Sequence, residues 1–156
     1  SGGGKRKSNW VENKRQTEKD DWEQKTAEWR RGDEFSAGMA RSVGVGGAGR
    51  LLKWSNAQPS MVLHELAHAY HHRVVGHGNA ELQAAYKKMV AGKTYDSVLN
   101  YSGRKVKHYA LNNQMEYFAE STEAYFGVND FYPFVRPDLR AHDPEMYKLM
   151  GKLWGK

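Results

Sequence analysis

The chain has no cysteine. That excludes disulfides and every thiolate metal site, so a bound ion would have to rest on His, Asp and Glu. No apolar run approaches the roughly 18 residues that cross a bilayer, and no hydrophobic signal region stands near the N-terminus. A soluble chain with no membrane partner is expected. Proline is scarce, at 4 in 156 residues, and beyond glycine-rich patches there is neither an internal repeat nor a low-complexity tract. The opening "SGGGKRK" has no initiator Met and reads as an expression scar or a trimmed precursor, which leaves the compartment open.

At 39% hydrophobic, 156 residues suit one domain with a core of moderate size. Residues 1–8 read as a disordered or expression-derived leader, 9–57 as an N-terminal helix with a glycine-rich segment, 58–126 as the core of the chemistry, and 127–156 as a region closed by a C-terminal helix. Net charge is +6, and the first 60 residues hold 12 Lys and Arg against 8 Asp and Glu. These charges are mixed, as on a solvated helix face, and no nucleic-acid motif accompanies them. Nucleic acid is therefore not the expected partner.

Trp10, Trp22 and Trp29 are spaced for one side of a helix between Asn9 and Arg31, and "SVGVGGAGR" (42–50) is a loop or short edge strand. A helical turn is read over Leu51–Ser55. Pro59 and Ser60 announce a helix that should end near Gly76. Asn79 caps a helix through Val90 with Leu82, Ala85, Tyr86 and Met89 on one face, closed by Gly92. Tyr95–Tyr101 reads as a short helix or turn and Arg104–Tyr109 as loop or brief strand. A further helix runs to Phe126, with Asn112 or Asn113 as cap, Gly127 as stop, and Met115, Phe118, Ala119, Thr122 and Phe126 as its apolar stripe. Asp143 and Pro144 then start a C-terminal helix that buries Met146, Leu149, Met150 and Leu153.

Within "MVLHELAHAYHH" (61–72), His64 and His68 lie one helical turn apart on one face, so both imidazoles can aim at one point. Two neutral imidazoles make half of a tetrahedral zinc site, and Glu65, roughly 100° round the helix, can face the open position as general base for a metal-activated water. This is the H-E-x-x-H arrangement of metalloproteases. Shuffling 7 His and 11 Glu over 156 residues produces it in roughly 2 of 100 chains, so the motif alone does not decide. In the second helix, Glu116, Glu120 and Glu123 share a face beside the apolar stripe, where unpartnered acids would be costly to bury. A catalytic zinc needs one more protein ligand, and this face either supplies it or is simply exposed.

"HELAH" followed by "EYFAE" resembles the gluzincin group of zinc metallopeptidases, and within it the catalytic domain of anthrax lethal factor and its relatives. The resemblance covers about 61–126; residues 1–50 lie outside it, and with them the upper substrate wall and edge strand usual in zinc peptidases. It implies a zincin-like, predominantly helical α+β domain with a small or reduced sheet. It implies one catalytic zinc on His64, His68 and Glu116, with Glu65 as base, and makes Tyr109, seven residues before Glu116, a hydrogen-bond donor to the transition state. Outside that role Tyr109 is a core aromatic. Glu120 is either the acceptor for the second ring hydrogen of a zinc-bound His or a helix-surface residue, and Glu123 is expected at the surface. His71, His72, His77 and His108 read as solvated, and Phe131, Tyr132 and Phe134 as core packing around a turn shaped by Asn129 and Asp130, or as a specificity pocket.

The expected partner is a peptide or protein substrate, and the expected state a monomer. The likeness favours a secreted or exported location, and composition does not decide. The competing reading is a zinc-stabilised binding or scaffold domain that cleaves nothing.

Overall fold

The computed structural model describes residues 58–155, and the readings made for the N-terminal helix, the glycine-rich segment and Leu51–Ser55 lie outside them. The described part is predominantly helical with one small sheet. Helix α1 (Met61–Tyr70) runs on into a π-helical turn, His71–Val75, which stops at Gly76 with φ 79°. That is the left-handed region glycine enters without strain. Helix α2 (Ala80–Gly92) begins where the Asn79 side chain accepts the Leu82 N–H at 2.9 Å. It incorporates Gly92, and Lys93 at φ 55° takes the left-handed closing position instead.

Tyr95 is buried in a turn, and the chain then forms an antiparallel hairpin of β1 (Val98–Leu99) and β2 (Lys105–Val106), so the alternative of a helix at 95–101 does not hold. Asn100 fixes its tip by accepting from the Ser102 and Arg104 backbone N–H groups and the Ser102 hydroxyl. A 3-10 turn, Tyr109–Leu111, leads into α3 (Gln114–Phe126), where Asn113, not Asn112, is the cap and receives the N–H groups of Met115 and Glu116, both at 2.9 Å.

Every residue of α3 from Tyr117 to Tyr125 is buried, so this helix is the centre of the described fold. Phe118 packs between the rings of His71 and Trp154, and Tyr117 and Tyr95 both donate to the Asp143 carboxylate, at 2.6 and 3.2 Å. Phe126, expected in the apolar stripe, is 45% exposed because the helix ends as the chain leaves the core. The turn that follows is held as expected: the Asn129 side chain accepts from Phe131 N and donates to the Glu120 carbonyl.

Helix α4 (Arg136–His142) is an element the periodicity did not show; the Asp138 carboxylate caps it through the Phe134 and Val135 N–H groups. Helix α5 (Pro144–Leu153) starts as read, with Asp143 accepting the Met146 N–H at 3.0 Å and Met146, Leu149 and Met150 buried.

Helix α1 lies against α3 with its contacts in reverse chain order. Ser60 meets Gly127 and Val128, His64 meets Glu123, and His68 meets Glu116. At the crossing a Cβ on Gly127 would stand 2.6 Å from Ser60 Oγ, so a larger residue there would have to displace the hydroxyl that accepts the Val128 N–H. Ser60 spends its hydroxyl there, accepting the Val128 N–H at 3.0 Å, and leaves the start of α1 without a side-chain cap. The start of the motif helix is thereby tied to the end of the glutamate helix.

Candidate metal centre

The antiparallel contact of α1 with α3 brings together three donors from two distant stretches of chain. His64 Nε2 lies 3.1 Å from Glu116 Oε2, His68 Nε2 lies 3.0 Å from His64 Nε2, and His68 Nε2 lies 3.4 Å from Glu116 Oε2. Four ligands at 2.0–2.1 Å around a tetrahedral ion stand roughly 3.3 Å apart, about 1.6 times the bond length. The three observed edges bracket that value. His64, His68 and Glu116 therefore form a group that could hold a metal ion.

The other ring nitrogen of His64 faces inward. Nδ1–H donates to Glu123 Oε1 at 2.6 Å, and Glu120 Oε1 lies 3.6 Å from the same nitrogen. Glu123 is thus not at the surface; it is 3% exposed, as is Glu120. The surface alternative for Glu120 fails with it. Both are turned inward because α3 is covered on all sides, and His64, Glu120 and Glu123 form a second convergent group behind the first.

With Nδ1 donating, a neutral His64 presents a lone pair on Nε2 to the Glu116 carboxylate. Two lone pairs at 3.1 Å need a cation between them, either a proton or a metal. In the absence of an ion that cation would be a proton. Burial, the largest single influence, lowers the His64 pKa, but its hydrogen bonds to Glu116 and Glu123 and their charges together hold it well above 6.5. Burial alone would raise Glu116; hydrogen bonds from His64 and His68 hold it below the usual carboxylate range. Glu120 is pushed well above that range by burial and then by the charge of Glu123. A site with two carboxylates on one imidazole suits a divalent cation, and imidazole with carboxylate suits zinc and its first-row neighbours.

The remaining predicted residues take less defined places. Glu65 is half-buried, next after His64 on α1. Tyr109 is half-buried and opens the 3-10 turn just before α3; its predecessor His108 caps that turn, with Nδ1 accepting the Ala110 N–H at 3.0 Å. His108 is not solvated. It is 2% exposed against the Phe131 ring, and burial, then the charge of His142, drives its pKa down to about 3. His71 is likewise buried, at 1%, between His77 and Phe118, with its pKa lowered to about 4 by burial and then by neighbouring histidines. His72, exposed as expected, has Nδ1 3.0 Å from His77 Nε2. Helical spacing sets His71 off the metal-facing line but does not show that the turn beneath it is covered.

Compared with known proteins, the chain matches no family model, no curated protein and no solved structure. Any function must be read from the residues themselves.

Proposed function

We propose that the chain is a zincin-like metallopeptidase domain that hydrolyses peptide bonds. The observation that carries this reading is the donor triangle of His64, His68 and Glu116, with edges of 3.0, 3.1 and 3.4 Å. Those three side chains would hold zinc. Zinc bound there supplies Lewis acidity, polarising a carbonyl and bringing the pKa of water down to about 7.

The chain's own groups divide the remaining work. The Glu65 carboxylate takes a proton from the attacking water and returns it to the leaving amine, a role typically worth 10²–10⁴-fold in rate. The Tyr109 hydroxyl donates a hydrogen bond to the oxyanion that develops on the substrate carbonyl. Glu123 keeps the proton on His64 Nδ1, so that Nε2 presents its lone pair.

The test is zinc content together with cleavage of a peptide library. Purified protein should hold about one zinc per chain. Glu65→Gln should keep the metal and lose hydrolysis, whereas His68→Ala should lose both. Full activity in Glu65→Gln would remove the mechanism.

A second reading, a zinc-stabilised binding domain without a working cleft, is favoured by one observation. Among the described residues the sheet is a hairpin of two-residue strands, too short to line an extended peptide. Such a domain would bind zinc, gain thermal stability and leave every library peptide intact.

A further inference from the structure

We infer that Glu123, and not Glu120, is the residue that positions His64 for metal binding, by holding its ring in the tautomer that can accept a metal. This rests on the metal reading proposed above. A carboxylate one turn beyond Glu116 is the position that motif spacing points to. The geometry passes it over: Glu120 Oε1 is 3.6 Å from His64 Nδ1, beyond hydrogen-bond reach, while Glu123 Oε1 is at 2.6 Å.

The helix explains the choice. Seven residues turn an α-helix through about 700°, within roughly 20° of two full turns, so Glu123 sits almost directly above Glu116 on α3. Four residues overshoot one full turn by about 40°, which swings Glu120 sideways toward His108, whose Nδ1 lies 3.9 Å from its Oε2. One α3 face thus offers His64 a carboxylate on each ring nitrogen, Glu116 below and Glu123 above.

The tautomer gives this contact its consequence. A histidine side chain in water favours the proton on Nε2, and that form would point an N–H into the triangle shared with His68 and Glu116. An acceptor fixed at Nδ1 reverses the preference. Glu123 spends one oxygen on His64, and its second oxygen, Oε2, is buried with no hydrogen-bond partner among the described residues. A buried carboxylate making a single contact contributes poorly to stability and is better accounted for by the ring it orients.

The test measures zinc affinity by competition with a chromophoric chelator and, separately, the His64 tautomer from histidine ¹⁵N spectra of metal-free protein above the His64 titration. Wild type should show Nδ1–H. Glu123→Ala should weaken zinc binding by about 10–100-fold and shift His64 toward Nε2–H. Glu123→Gln, which keeps an oxygen acceptor of the same size, should recover most of that loss. Glu120→Gln should change affinity less than about threefold, below the 10–100-fold range for an orienting partner.

Folded Glu123→Ala binding zinc within twofold of wild type overturns the inference, as does Glu120→Gln costing as much as Glu123→Ala. If Glu123→Ala does not fold, Glu123→Gln decides by whether His64 keeps Nδ1–H. Wild type that takes up no zinc sinks the metal reading alone. The metal-free spectra then judge Glu123 independently, and Nε2–H in wild type overturns its assignment.

Discussion

Zinc uptake should expel a proton from His64, and its pH dependence should run opposite to that of the metal-free fold. In the metal-free chain both ring nitrogens face carboxylates, at 2.6 Å to Glu123 and 3.1 Å to Glu116. Burial by itself lowers the pKa, but these bonds and charges hold it well above 6.5. Below that raised value a proton is expected on each ring nitrogen, and an ion could reach Nε2 only by displacing one. Apparent affinity should rise about tenfold per pH unit, or about 1.4 kcal/mol, until the pH passes the raised value.

The stability of the metal-free fold has the other sign. A folded pKa above the unfolded one gives a contribution fully present below about 6.5 and lost as pH rises through the folded value, at about 1.4 kcal/mol per unit. Glu120, also raised, acts in the same direction. Calorimetry in two buffers of different ionisation enthalpy should count about one proton released per zinc near pH 7. Melting of the metal-free protein should fall as pH rises above about 6.5, while the zinc-loaded protein changes little. Buffer-independent heats with a flat affinity profile would mean that His64 is already neutral, and the reasoning from its two carboxylates would be wrong.

Three further outcomes are expected. Tyr109→Phe should lower kcat by about 10²–10³-fold with zinc content unchanged, the cost of losing one donor to an oxyanion; an unchanged kcat would return Tyr109 to packing. Asp143→Ala should destabilise the fold by roughly 2–5 kcal/mol, because it strands the buried hydroxyls of Tyr95 and Tyr117 and uncaps α5. Its urea midpoint should drop with little change in slope. On the acid side, His71 with a pKa lowered to about 4 binds its proton more weakly folded than unfolded. Its penalty is absent above 6.5 and grows to at most about 3 kcal/mol as pH falls toward 4. His71→Leu should flatten that limb of the pH–stability curve.

Capping chemistry is the most legible part of the sequence. Asn79, Asn113 and Asp143 each accept the backbone N–H groups expected of them, because such caps act within three residues and need nothing from the rest of the fold. The convergence of His64, His68 and Glu116 follows from spacing and resemblance together, and the donors do meet. Coverage is not legible. Period analysis assumes that a helix has a wet side, and α3 between Tyr117 and Tyr125 has none, so spacing sets Glu123 at the surface where the fold buries it. The same blindness puts His71 and His108 in solvent. Helix α4, at seven residues, is too short for a period to emerge.

The partners of these acids bear on whether the cluster is a metal site or a structural ion network. Glu116, Glu120 and Glu123 surround His64 at 3.1, 3.6 and 2.6 Å, and their ion-pair partners among the described residues are histidines only. Lysine is used in ion pairs elsewhere, with Lys88 on Glu145 and Lys152 on Glu81, both at the surface. Arginine or lysine inside would have balanced the same charge permanently and kept any metal out. Histidine balances it with a proton that can leave. A cluster whose charge balance depends on a removable proton would become a ligand set if a dication took the proton's place. Replacing His64 with Lys should therefore preserve much of the metal-free stability near neutral pH while abolishing zinc uptake, and a Lys variant that still bound zinc at wild-type affinity would show that His64 is not a ligand.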